Sequence, residues 1–168
     1  GSSTIVHLWL TVISFLRSLS IQARAPILVV EMSDIRHEIT SSASPDAVFE
    51  ALTTPKGLSG WWSRDCDIGQ GVGAEHELRF QKDDRMVAMR FRVEALEPGA
   101  RVLWRCIENG NPVWPGTALE WRVTPTDKGS TIVFEHRDFT NPSGPPYEMT
   151  VGGWAHFMAS LQSFLDTG

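Results

Sequence analysis

The feature that most constrains this chain is a change of hydrophobic period. Between Ile35 and His136 the inward-type residues recur at every second position, in short runs; from Tyr147 onward they recur at intervals of three and four. Period two marks a strand with one buried face, and period 3.6 marks a helix. Ile35, His37 and Ile39 alternate with Arg36, Glu38 and Thr40. The same alternation returns at His76, Leu78 and Phe80, then through Val87, Met89, Phe91, Val93 and Ala95. It continues at Val102, Trp104 and Cys106, at Leu119, Trp121 and Val123, and at Ile132, Phe134 and His136. Polar or glycine turns at Lys82-Asp83-Asp84, Pro98-Gly99 and Lys128-Gly129 separate most of these runs. Strands joined by such short connections must be antiparallel. Tyr147, Val151, Trp154, Met158, Leu161 and Leu165 then predict one long helix, from about Tyr147 to Asp166, with an apolar face toward the sheet.

Two short helices are predicted after the first strand. Ser44 suits an N-cap and Pro45 the first helical position, with Val48, Phe49 and Leu52 on the apolar face. Thr54-Pro55 repeats the start signal, and this second helix is expected to end near Gly60. Gly69, Gly71 and Gly73 mark a turn; the Lys-Ser/Thr of a phosphate loop is missing. The segment Phe139 to Pro146 reads as an irregular loop. Gly152-Gly153 lies inside the long helix, where each glycine costs ~1 kcal/mol against alanine. Close approach to the sheet or to a ligand would account for that cost.

A chain of 168 residues with 42% hydrophobic and 21% charged residues supports one domain with a real core. The net charge of −5 lacks the basic footprint of a nucleic-acid binder. Cys66 and Cys106 form no C-x-x-C or Cys/His cluster, so a structural zinc is not expected, nor any other metal or cofactor. The expected state is two reduced thiols in a cytoplasmic protein, with a single disulfide as the other reading.

Residues 1–31 read as an N-terminal extension, and residues 32–168 as the domain. The apolar run from Ile5 to Leu16 is shorter than the ~20 residues of a membrane span. Three readings compete. The native start is at Met32, behind a tag-like Gly1-Ser2-Ser3; or the run is an accessory helix packed on the domain; or it is an export signal with Ala23-Arg24-Ala25 as its cleavage site.

Several segments together carry a family likeness. They are Ala43-Ser44-Pro45-Asp46-Ala47-Val48-Phe49, Leu52-Thr53-Thr54-Pro55, Gly60-Trp61-Trp62, Gly129-Ser130-Thr131 leading to His136 and Phe139, and Gly153-Trp154 with Leu161 and Phe164-Leu165. In order and spacing they resemble the C-terminal domain of the activator of Hsp90 ATPase, within the START/Bet v 1-like superfamily that includes polyketide cyclases. The resemblance spans about residues 33–166. It implies an α+β helix-grip fold, a curved antiparallel sheet wrapped around a long C-terminal helix over an apolar cavity. It also implies binding of a small hydrophobic or aromatic ligand. A cyclase or dehydratase, a stress-response protein and a co-chaperone module are the alternatives, with a chaperone and a second copy of the chain as further partners.

On the period-two reading the inner face carries His76, Leu78, Phe80, Met89, Phe91, Trp104, Trp121, Phe134 and His136. Pockets of this kind are mostly apolar with a few orienting polar groups. The candidate ligand-binding residues are therefore Trp62, His76, Phe80, Met89, Trp104, Trp121, Phe134, His136, Trp154 and Met158. The competing reading is that the aromatics simply form the core. His136 is the one candidate acid or base, because its reference pKa lies near neutral; a histidine satisfied by a backbone carbonyl is the plainer reading. Arg90, Arg92, Arg105 and Arg122 fall on the opposite face, where Glu94 and Glu120 offer cross-strand ion pairs.

Overall fold

Each alternating run is a strand in the computed structural model, which describes residues 35–168. The expectations about residues 1–31 and Met32 lie outside the described residues. The order is β1 (Ile35–Ser41), α1 (Pro45–Thr53), α2 (Pro55–Trp61), β2 (Asp65–Ile68), β3 (Glu75–Lys82), β4 (Arg85–Glu97), β5 (Arg101–Glu108), β6 (Ala118–Thr126), β7 (Gly129–Arg137) and α3 (Pro145–Thr167). The strands form one antiparallel sheet in the order β1-β7-β6-β5-β4-β3-β2. This is the helix-grip architecture, with α3 held in the curve of the sheet.

Register keeps the inner-face residues together. His76 pairs with Phe91, Leu78 with Met89, Trp104 with Leu119, Leu119 with His136, and Trp121 with Phe134. Directly paired residues share a face, so these side chains line one concave surface. The pairing of β4 with β5 shifts at Arg90/Phe91 and at Val93/Ala95. Such irregularities bend a strand and increase its twist, which suits the longest strand of a closing sheet.

The helix starts follow the capping rules. Ser44 Oγ accepts from the Ala47 N–H at 3.2 Å, and Thr54 Oγ1 accepts from the Gly57 N–H at 3.0 Å. The corner between α1 and α2 is locked by Trp61, whose Nε1–H donates to the Ala51 carbonyl at 2.9 Å. At the far end of α3, Asp166 Oδ1 accepts from Ser41 Oγ at 2.6 Å and from the Ser42 N–H at 3.2 Å.

Three details depart from the sequence reading. Strand β2 was not expected; it is a four-residue edge strand on β3, too short for its alternation to register. Helix α3 begins at Pro145, inside the segment read as irregular. Proline is tolerated in a first turn because its missing N–H needs no partner there. Val151 is exposed at 41%, and Thr150 takes the inward position beside Trp154, Met158 and Leu161.

On the outer face the arginines pair as expected. Arg105 grips both oxygens of Glu94 at 2.9 and 3.1 Å, Arg90 meets Glu75 at 2.6 Å, and Arg122 contacts Glu120. Glu120 is 1% exposed beneath Arg101, Arg122 and Arg137. Burial alone would raise its pKa, but these guanidiniums outweigh burial and hold the carboxyl below the usual range.

The glycines of the helices have opposite surroundings. A Cβ at Gly57 would stand 2.5 Å from Ala51 Cα, whereas a Cβ at Gly152 meets nothing within 4 Å. Gly57→Ala is therefore expected to destabilise by about 1–3 kcal/mol through overpacking. Gly152→Ala is expected to stabilise by about 0.5–1 kcal/mol through backbone entropy. Urea unfolding of both variants checks the contrast; a stabilised Gly57→Ala would contradict the close α1–α2 corner.

Candidate functional site

A cleft of about 700 Å³ opens between the β3–β4 hairpin, the loop before β6 and helix α3. The hairpin contributes Phe80, Lys82, Arg85, Met86, Val87 and Met89. The loop contributes Asn109 to Pro112 and Trp114, and α2 ends in Trp62. Helix α3 supplies Pro145, Pro146, Met149, Thr150, Gly153, Trp154 and Phe157. The wall is mainly apolar, as in most small-molecule sites. A second depression, walled by Thr40 to Ser42, Thr126 to Lys128, Ser130, Gln162 and Asp166, is polar and opens more widely.

The sequence-predicted residues divide into two groups. Trp62, Phe80, Met89 and Trp154 line the cleft. His76, Trp104, Trp121, Phe134, His136 and Met158 are buried outside that lining, in the packed core under the helix. The two groups touch through ring contacts. Trp62 stacks on Trp104 with centroids 5.9 Å apart and planes 6° apart, and Trp154 lies 4.2 Å from Phe134. The cleft wall is thus the outer layer of a continuous aromatic cluster.

Pattern reading passed over Met149, Phe157 and Trp114 in the wall, the last because it lies in a loop. The loop is built on side-chain turns: the Asn111 N–H donates to Asn109 Oδ1 at 2.8 Å, and the Val113 N–H to Asn111 Oδ1 at 3.2 Å. Trp114 then stacks on Trp154, with centroids 5.7 Å apart. Its Nε1–H donates to Thr150 Oγ1 at 2.8 Å. The apolar Val113-Trp114-Pro115 inside an otherwise polar turn was the available signal.

His136 is fully buried and engaged at both nitrogens. The Trp154 Nε1–H donates to His136 Nδ1 at 2.9 Å. Because Nδ1 accepts, Nε2 carries the proton and donates to Thr117 Oγ1 at 2.7 Å. The Thr117 hydroxyl donates in turn to the Trp114 carbonyl at 2.5 Å. Burial pushes the His136 pKa down to about 3. The partners are thus an indole and a hydroxyl, where the sequence reading had offered a backbone carbonyl. His76 is also buried; its Nδ1 accepts from the Gly69 N–H at 3.1 Å, and burial lowers its pKa to about 4.

Gly153 borders the cleft, and a Cβ placed there meets nothing within 4 Å. The sheet does not approach it, so close packing against the sheet does not account for this glycine. Cys66 and Cys106 are free thiols, and burial raises the Cys106 pKa to about 12. Among the described residues no group of three His, Cys, Asp or Glu side chains is placed to hold a metal, and no helix is long and apolar enough to cross a membrane.

An antiparallel grip around one helix, with an aromatic cleft between them, defines the helix-grip class of cavity proteins. The sequence profile of the polyketide cyclase / dehydrase and lipid transport family matches residues 32–165, and the chain belongs to that family. Solved structures place it in the same START/Bet v 1-like group. An Aha1 dimer from Colwellia psychrerythraea is 28% identical with a TM-score of 0.66, over 80% of this chain and 96% of that one. A Chromobacterium violaceum protein is 20% identical with a TM-score of 0.67, over 80% and 97%. DynU16, from the dynemicin biosynthetic locus, is 23% identical with a TM-score of 0.65, over 80% of this chain and 47% of its own. No curated protein matches the chain.

The two buried histidines give the fold a defined response to acid. The unfolded chain takes up their protons near pH 6.5, whereas the folded chain resists until about pH 4 at His76 and 3 at His136. The unfolded state therefore binds more protons across that window. Their contribution is complete above about pH 6.5 and is lost as pH falls toward the folded values. The urea midpoint is expected to fall steadily from about pH 7 to about pH 4.5, with a shallower slope in His136→Gln. An unchanged slope in that variant would contradict the assignment.

Proposed function

We propose that this protein binds a small apolar or aromatic molecule in the cleft between the β3–β4 hairpin, the Trp114 loop and α3. The observation that carries the reading is an apolar wall of Trp62, Phe80, Met89, Trp114, Trp154 and Phe157 around about 700 Å³. A volume of that size accepts a ligand of metabolite or drug dimensions. Gly153 supports the reading, because a helix residue that costs stability stands where its missing side chain keeps the cleft open.

Binding fits the site better than catalysis by His136. A general acid or base must reach the proton it moves and exchange it near the working pH. His136 lies outside the cleft lining, holds a neutral ring and has both nitrogens engaged. Its role in this reading is to position Trp154. The co-chaperone and homodimer readings rest on likeness to the Colwellia protein, described as an Aha1 dimer, and on no site among the described residues. A cytoplasmic location belongs to the proposal as well.

Nile red, a neutral apolar dye, is the test. It should brighten on binding and quench tryptophan emission in the wild type. Gly153→Leu should abolish both effects while the protein still unfolds cooperatively, with about 1–3 kcal/mol of overpacking cost at most. A dye response that survives in folded Gly153→Leu would place apolar binding elsewhere.

A further inference from the structure

The inner edge of the β3–β4 hairpin changes character along its length. Its paired residues run from His76 opposite Phe91, through Leu78 opposite Met89 and Phe80 opposite Val87, to Lys82 opposite Arg85. The last pair sets two cations side by side on the face that lines the cleft. Like charges directly opposite one another destabilise a sheet. Elsewhere such pairs are compensated: Arg92 stands opposite Arg105 and Arg101 opposite Arg122, but each of these four arginines holds a carboxylate. Among the described residues Lys82 and Arg85 hold none. Asp83 and Asp84 form the hairpin tip between them, but neither pairs with them and neither belongs to the cleft wall.

The wall contains Lys82 and Arg85 and no Asp or Glu, in a chain whose net charge is −5. The cleft therefore offers an aromatic body and, at its rim, two cations paired with no carboxylate of the described residues.

We propose that the ligand is an amphipathic carboxylate, with its apolar body against Trp114, Trp154 and Phe157 and its carboxylate held by Lys82 and Arg85. This inference rests on the cleft being the binding site and adds the charge and chemical class of what enters it. Arg85 offers a planar two-pronged donor that matches a carboxylate, and Lys82 a flexible point charge.

The test uses three probes of equal chain length, decanoate, decanol and decylamine, below their micelle concentrations at pH 8. Calorimetry and tryptophan quenching are followed for the wild type and for Lys82→Gln/Arg85→Gln. The wild type is expected to bind decanoate about tenfold more tightly than decanol, and decylamine more weakly than either. The double variant should lose the preference for decanoate, binding it no more tightly than decanol. It should melt no lower, because both side chains are exposed and the like-charged pair is gone. Equal affinity for decanoate and decanol in the wild type overturns this inference and leaves the cleft reading standing. A preference that survives in the double variant overturns the assignment to Lys82 and Arg85. No binding of any probe overturns the cleft reading itself, and this inference with it.

Discussion

One hydrogen-bonded circuit holds the site together. It leaves helix α3 at Trp154, passes to His136 on β7, to Thr117 before β6 and to the carbonyl of Trp114. From the Trp114 indole it returns to α3 at Thr150, one turn before it began. Helix, sheet and loop are thereby fixed to one another by side chains that are all buried. A buried polar chain of this kind stabilises only when every member is satisfied, and here the histidine tautomer is set by its neighbours. Loss of the Trp154 N–H would leave Nδ1 unpaired in the core, at a cost of about 1–3 kcal/mol.

The shape of the cleft follows from that circuit. Because Trp114 and Trp154 are both tied down, their rings stack and form a rigid wall. Aromatic pairs in such arrangements add ~0.5–1.5 kcal/mol beyond area burial. The wall continues through Trp62 onto Trp104 and through Trp154 onto Phe134, so core packing supports the wall from behind. Gly153 and the β3–β4 hairpin border the same space. The charged outer face is closed to such a role, since its arginines are occupied by carboxylates and Glu120 is buried beneath three of them.

Period two was enough to place the nine inner-face residues on one surface, because strand register preserves alternation across the whole sheet. It could not separate the cleft wall from the core behind it. That division depends on the irregular pairing of β4 and on where α3 crosses the sheet, which are long-range properties. Helical spacing suggested Val151 as inward, yet Thr150 took that place because its hydroxyl closes the circuit with Trp114. Trp114 itself was hidden in a loop whose burial is tertiary. Lys82 read as part of a polar turn; only its pairing with Arg85 shows that both belong to the inner face.

Tryptophan indole N–H signals, followed by NMR during titration with a neutral apolar ligand, test the central claim most directly. The expected result is large shifts for Trp62, Trp114 and Trp154, with smaller ones for Trp104 and Trp121 in the core behind them. Shifts confined to backbone signals around Thr40 to Ser42 and Thr126 to Ser130 would place the ligand in the polar depression instead. That result would contradict a binding site built on the stacked wall of Trp114 and Trp154.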